Sequence, residues 1–302
     1  MEKQKERVFG SDNSVVFIPD GHRYVNSIGE DYMSTTKLIK RIVPEFPRFM
    51  ISKKMAEAKF PGASEEIIKI EQAKILKEWD EIAKNSQDHG TGIHSELEQY
   101  DITGQIAADL EPIARKIRKY YENHHKHFNE LLLYSDEFKM AGTTDKAVLR
   151  SGRGGQVVDF GDYKTNNRKE IQFDSSSNKN QKFSWNNKYL LEPFDHIEHC
   201  NYWEYALQLS LYGYYAESTY GIKVGKLDIF FIDRAKSFVN RIPVPYMRLE
   251  AKALLEWHKA NPIKETKSKD EARHNVIDES GVVKKPKEIV KTNIIESDWD
   301  DL

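Results

Sequence analysis

Near residue 130 the spacing of apolar residues changes from helical to strand-like, and that switch limits the folds open to the chain. Upstream, Ser34-Thr35-Thr36 precedes Leu38, Ile39 and Ile42, a hydroxyl cap ahead of a helix that Pro44 and Pro47 stop. Ser64 heads a longer predicted helix through about Lys84, with Ile68, Ile75, Leu76, Trp79 and Ile82 on one stripe. Two more are predicted over Gly92–Tyr100 and from Pro112 to about His127. Only the run Val15–Ile18 reads as a strand in this half. Downstream, Leu131–Tyr134, Lys139–Ala141, Lys146–Leu149 and Gln156–Asp162 read as short strands, with Ser151–Gly155 as a hairpin turn. After a polar loop over 166–200, Tyr202 to about Ser218 reads as a helix. Val224–Asp233 and Phe238–Pro243 read as strands, and Arg248–Lys259 as a closing helix. This order predicts an α/β (α+β) domain with a mixed sheet: a strand and helical region over 1–130, a core over 131–261 and a charged tail over 262–302.

Composition explains the tail and excludes several classes. Charged residues make up 31% of the 302, above the usual quarter, and they dominate beyond Pro262, where aromatics vanish until Trp299. A basic run (Lys284, Lys285, Lys287, Lys291) gives way to Glu296-Ser297-Asp298-Trp299-Asp300-Asp301-Leu302, which reads equally as a docking peptide for a replication or recombination partner and as a solubilising end. Lys+Arg 46 against Asp+Glu 48 gives a net charge of -2, which excludes a wholly cationic protein but allows a local basic groove. The single cysteine, Cys200, excludes a disulfide framework, a four-cysteine zinc site and a cysteine-held iron–sulfur cluster. No apolar stretch reaches membrane length, so the expectation is a soluble, cytoplasmic protein. The Gly152–Gly155 turn lacks the Gly-Lys-Ser/Thr ending of a P-loop, so no nucleotide triphosphate is expected.

Four segments carry residues suited to chemistry. In His89-Gly90-Thr91-Gly92-Ile93-His94-Ser95-Glu96-Leu97-Glu98, His94 and Glu98 share one helical face. In Ala141-Gly142-Thr143-Thr144-Asp145, a carboxylate sits near the end or bend of a strand. In Val157–Thr165, strand alternation puts Asp162 and Lys164 on one face and Tyr163 on the other. Two carboxylates can hold a hard divalent ion that polarises a phosphoryl oxygen and generates hydroxide, while a lysine orients water or steadies developing charge. In Tyr205–Tyr212, Gln208 and Tyr212 share a helical face that Tyr215 continues. Alone, each segment has an ordinary reading: a surface helix, a charged strand end, a core aromatic stripe. His124-His125 and His127 lack a metal-binding partner pattern and read as a solvated helix with Arg115, Arg118 and Lys119, a basic face open to phosphate.

In this order the four segments resemble the RecB-type branch of the PD-(D/E)XK nuclease superfamily. Ser34-Thr35-Thr36 and its helix are similar to the SxT element of phage-encoded and mitochondrial genome-maintenance exonucleases of that branch. The resemblance spans about residues 25–255. It implies a restriction-endonuclease-like mixed β-sheet flanked by helices, with Mg²⁺ (or Mn²⁺) held by His94, Asp145 and Asp162. It also implies Lys164 as the catalytic lysine, Gln208 near the active centre and Tyr212 along the DNA path, with Glu98 and Glu137 as auxiliaries. The implied activity is a metal-dependent DNA nuclease, an exonuclease on linear or single-stranded DNA in phage or bacterial replication, recombination or repair, and the implied compartment is the bacterial host cytoplasm. Two alternatives stand beside it: an RNA or branched-DNA endonuclease of the same superfamily, and a non-catalytic DNA-binding or assembly factor on that scaffold. Two departures matter. The Ser151–Gly155 hairpin is longer than the branch needs, and Asp159 competes with Asp162 if a bulge at Gly161 turns the strand.

Overall fold

The computed structural model describes residues 9–121, 126–152, 154–165, 173–174, 179–180 and 189–263. The first strands are β1 (Val15–Ile18), β2 (Arg23–Asn26) and β3 (Asp31–Ser34), followed by α1 (Thr35–Lys40), α2 (Arg48–Lys59), α3 (Glu65–Thr103) and α4 (Glu111–Tyr121). Then come β4 (Lys126–Ser135), β5 (Met140–Gly152), β6 (Gly155–Lys164) and a two-residue pair, β7 (Phe173–Asp174) with β8 (Lys179–Asn180). The chain closes with α5 (Asn201–Tyr220), β9 (Lys223–Asp233), β10 (Phe238–Val244) and α6 (Arg248–Ala260). The result is a mixed α/β fold in which an eight-stranded sheet is flanked by helices. The order β1-β2-β3-β5-β6-β9-β10, with β4 on β5, is antiparallel except at β3–β5 and β6–β9.

Strand alternation sorts the core into two faces. Val158 and Phe160 of β6 and Leu227, Ile229 and Phe231 of β9 pack with α5, and α6 adds Leu254 and Leu255 to the same cluster. Tyr163, Phe230 and Ile232 point the other way, onto Ile93 and Leu97 of α3 and Ile113 and Ile117 of α4. The division expected at residue 130 therefore falls inside β4, and helices that precede it cover the same sheet as those that follow.

Several elements differ from the expectation, each for a physical reason. The helices expected over Ser64–Lys84 and Gly92–Tyr100 are one 39-residue helix, α3, that runs through Gly90 and Gly92. A glycine inside a helix costs only about 1 kcal/mol, and at Gly90 it admits the end of β6: a Cβ there would lie 3.2 Å from Thr165 Oγ1. The runs 139–141 and 146–149 are one strand, β5. The helix expected to reach His127 stops short, because Lys126 and His127 already pair with Leu149 and Val148 in the sheet. Helix α2 carries no apolar stripe, burying only Ser52 and Ala56, and β2 and β3 are four residues each in polar sequence. His124, His125 and the tail from residue 264 lie outside the described residues. Among the described residues, no helix is long and apolar enough to cross a membrane.

Candidate metal centre

The site forms where β5 loses its neighbours. On one edge, β3 pairs with Met140 and Ala141 and β6 pairs from Lys146 to Gly152, so neither register includes residues 142–145. On the other edge the β4 register runs from Lys126 to Ser135 but skips Glu130 opposite Asp145. Glu130 has φ +46°, a left-handed conformation that costs a non-glycine residue on the order of 1–3 kcal/mol. Both carboxylates thereby leave the ladder on the same level of the sheet.

Helix α3 lays His94 over this gap. His94 Nδ1 is 3.2 Å from Asp145 Oδ1, and one ligand atom from each of His94, Glu130 and Asp145 lies within 4.8 Å of the others. The other Asp145 oxygen accepts the Tyr163 N–H, a β6 amide beyond the end of the β5–β6 register. The His94 ring stands edge-on to Tyr163 at 5.7 Å. Lys146 braces the arrangement from inside: its buried ammonium donates to Asn129 Oδ1 at 2.9 Å and pairs with Asp101, tying β4 and β5 to α3.

Asp162 and Lys164 project together toward α5, as strand alternation requires, with Nζ 3.0 Å from Oδ2 and 4.3 Å from the Tyr205 ring centroid. Asp162 Oδ2 is buried and, despite that proximity, makes no hydrogen bond of good geometry. The register irregularity on β6 lies between Val158 and Phe160 against β9 rather than at Gly161, so Asp162 keeps its expected face. Asp159 is occupied elsewhere: it holds Arg150 through two hydrogen bonds of 2.8 and 2.6 Å and accepts the Lys226 N–H at 2.8 Å.

The charges in this space are mutually adjusted. Burial, with Asp145's charge added and only partly offset by Lys164, pushes the Asp162 carboxyl up to about 6. Glu130 keeps an exposed surface, but desolvation by its surroundings and the charge of Asp145 raise it to about 7, with Glu98 contributing. For His94, burial opposes the charged form, but the charge and hydrogen bond of Asp145 outweigh it and raise the imidazole to about 9. Asp145 is itself held below the usual carboxylate range, since His94 overcomes the cost of its burial.

The remaining expected residues divide. Glu98 sits one turn below His94, half-buried, close enough for its charge to act on Glu130. Gln208 donates to the Tyr212 hydroxyl at 3.1 Å, and both are buried. The Tyr212 ring packs on Gly142, where a Cβ would lie 2.6 Å from it. At 2% exposure, Tyr212 is packed behind the Asp145 strand. Thr35 donates to the Ala141 carbonyl at 3.1 Å, placing the Ser34-Thr35-Thr36 segment against the same strand. Glu137 lies on the turn between β4 and β5, exposed and paired with Lys259 of α6 at 3.6 Å, and is not part of the cluster. Glu130 and Lys146 are the residues that sequence reasoning missed. The one available signal for Glu130 is a carboxylate heading the apolar run Leu131–Tyr134.

Comparison with models of protein families and with curated proteins gives no match for this chain.

Proposed function

We propose that this protein is a metal-dependent deoxyribonuclease on a restriction-endonuclease-like core, an exonuclease acting on linear or single-stranded DNA. The observation that supports the reading best is the convergence, at a break in the sheet, of His94, Glu130 and Asp145 with the Asp162–Lys164 pair. A donor set of carboxylate oxygens and one imidazole suits Mg²⁺ or Mn²⁺. The buried, unbonded Asp162 Oδ2 fits the same group, because the Lys164 charge beside it offsets its burial only in part. His94, Glu130 and Asp145 are the clustered residues that would hold the cation, and Asp162, outside that cluster in this structure, is the further carboxylate proposed to join them. A divalent ion held there supplies Lewis acidity toward a phosphoryl oxygen and a lowered pKa for water.

The protein's own groups have separable tasks. Asp145 ties α3 to β6, accepting from Tyr163 N–H and pairing with His94. Lys164, held between Asp162 and the Tyr205 ring, carries the positive charge that would steady the developing charge on the phosphate or orient the attacking water. Gln208 and Tyr212 fix the strand carrying Asp145 through Gly142 rather than touching substrate. Mn²⁺ titration by calorimetry, beside a gel time course on end-labelled linear DNA, a closed circle and RNA, tests the reading. Metal binding with loss of linear DNA alone is the expected result. Cleavage of RNA or of the circle would shift the substrate class, and binding of DNA without metal binding or cleavage would leave a non-catalytic scaffold.

A further inference from the structure

On the face of the sheet that α4 covers, opposite the side chains of Asp162 and Lys164, two carboxylates are buried without any part in the metal centre. Asp159 and Asp228 are 1% and 0% exposed. Asp159 grips Arg150 side-on, and Asp228 lies 2.9 Å from Arg241 Nε and accepts the Tyr120 hydroxyl at 3.1 Å. The Arg241 guanidinium lies 4.0 Å from the centre of the Tyr120 ring, and the Lys226 ammonium 5.6 Å from it. One helical turn earlier on α4, Lys116 is fixed by a 2.9 Å bond to the Val239 carbonyl. Gly225 is required here, since a Cβ would lie 2.1 Å from Asp159 Oδ1.

Buried ion pairs are a poor source of stability, because desolvation consumes most of the Coulombic gain. What they do well is fix the plane of a guanidinium. Here two hydrogen bonds fix the plane of Arg150, and Arg241 is held by its charge pairing with Asp228 and by the Tyr120 ring, while each keeps about a third of its side chain in water. Two carboxylates against Arg150, Arg241, Lys226 and Lys116 leave the patch at +2, on a chain whose net charge is -2. Rigid, outward-facing cations on a surplus of positive charge match phosphate groups spaced along a backbone.

We propose that the Arg150–Lys226–Arg241–Lys116 patch is a second phosphate-binding site that takes the nucleic-acid backbone away from the metal centre and acts on binding rather than on the cleavage step. The proposal rests on the nuclease reading above. The test is fluorescence-anisotropy binding of a labelled single strand to the full chain at several salt concentrations, with saturating cleavage rates measured in parallel. The variant Lys116→Gln/Lys226→Gln leaves both buried pairs intact, and Lys226→Arg keeps the charge. The double variant is expected to bind several-fold more weakly at low salt, with a salt slope smaller by about 1.4, two contacts at about 0.7 each for single strands. Its saturating cleavage rate and Mn²⁺ binding should be unchanged, and Lys226→Arg should bind as wild type does. Unchanged affinity and slope in a folded double variant would overturn the proposal while wild-type cleavage still stood. If inorganic phosphate alone distinguishes the variant from wild type, the patch is a free-anion site and the proposal fails. A wild type that binds no DNA removes the proposal and the nuclease reading together.

Discussion

Asp159 and Asp162 stand three residues apart on β6, both almost fully buried, on opposite faces of one sheet. Asp159 receives three hydrogen bonds, two of them from an arginine. Asp162 has one lysine, one unbonded oxygen and another carboxylate in range of its charge. The same residue type in the same strand is thus neutralised on one side and left short of positive charge on the other. Folding accounts for the first arrangement; the second is a cost that a bound cation would remove.

Substitution should separate the two most sharply at the level of chemistry. Asp162→Asn is expected to slow single-turnover DNA cleavage by about 10²–10³-fold, with resistance to urea equal to or above wild type, because a neutral amide is less costly to bury there. Full activity, or a large loss of stability, would break the comparison. Asp159→Ala should do the reverse. Removing it strands Arg150, and the expected loss is about 3 kcal/mol, at the low end because the arginine keeps contact with water. Cleavage per folded molecule should change little, as read from urea unfolding and active-fraction assays. Gly225→Ala sharpens the same point with a smaller effect of about 1–3 kcal/mol from overpacking against Asp159. In a double-mutant cycle its cost should largely vanish when Asp159 is already alanine; additive losses would mean the glycine serves something else.

The smallest effect is on pH. Below about 9 His94 holds a proton, and near 6 Asp162 is half protonated, so a cation entering the site must displace protons. Mn²⁺ affinity should therefore rise with pH from 6 to 9. Calorimetry in two buffers of different ionisation heat should show proton release, and heats independent of buffer would speak against these ligands.

Much of the site's raw material is readable in the sequence. His94, Asp145, Asp162 and Lys164 stand in motifs whose helix or strand context is local, and the i, i+2 relation of Asp162 and Lys164 follows from strand geometry alone. Glu130 is not readable, because what selects it is a break in pairing across from Asp145, a property of two strands together. Lys146 is hidden for a similar reason: strand alternation does not reveal that Asp101, two helical turns beyond His94, will reach it. The burial of Tyr212 depends on Gly142 of another element, so helical spacing alone could not tell a stacking surface from a packed one. In the fold, β5 looked like two strands because the polar Thr143-Thr144-Asp145 segment interrupts its apolar pattern where it crosses the site.

The most direct test of the account is a single-turnover time course on end-labelled linear DNA with Mg²⁺, comparing wild type with Asp145→Asn. The amide can still accept from Tyr163 N–H, so the fold should hold while the charge at the break in the sheet is lost. Digestion by wild type and a rate at least about a hundredfold lower in the variant is the predicted result. Intact DNA with wild type in both Mg²⁺ and Mn²⁺, or equal rates for the two proteins, would contradict it.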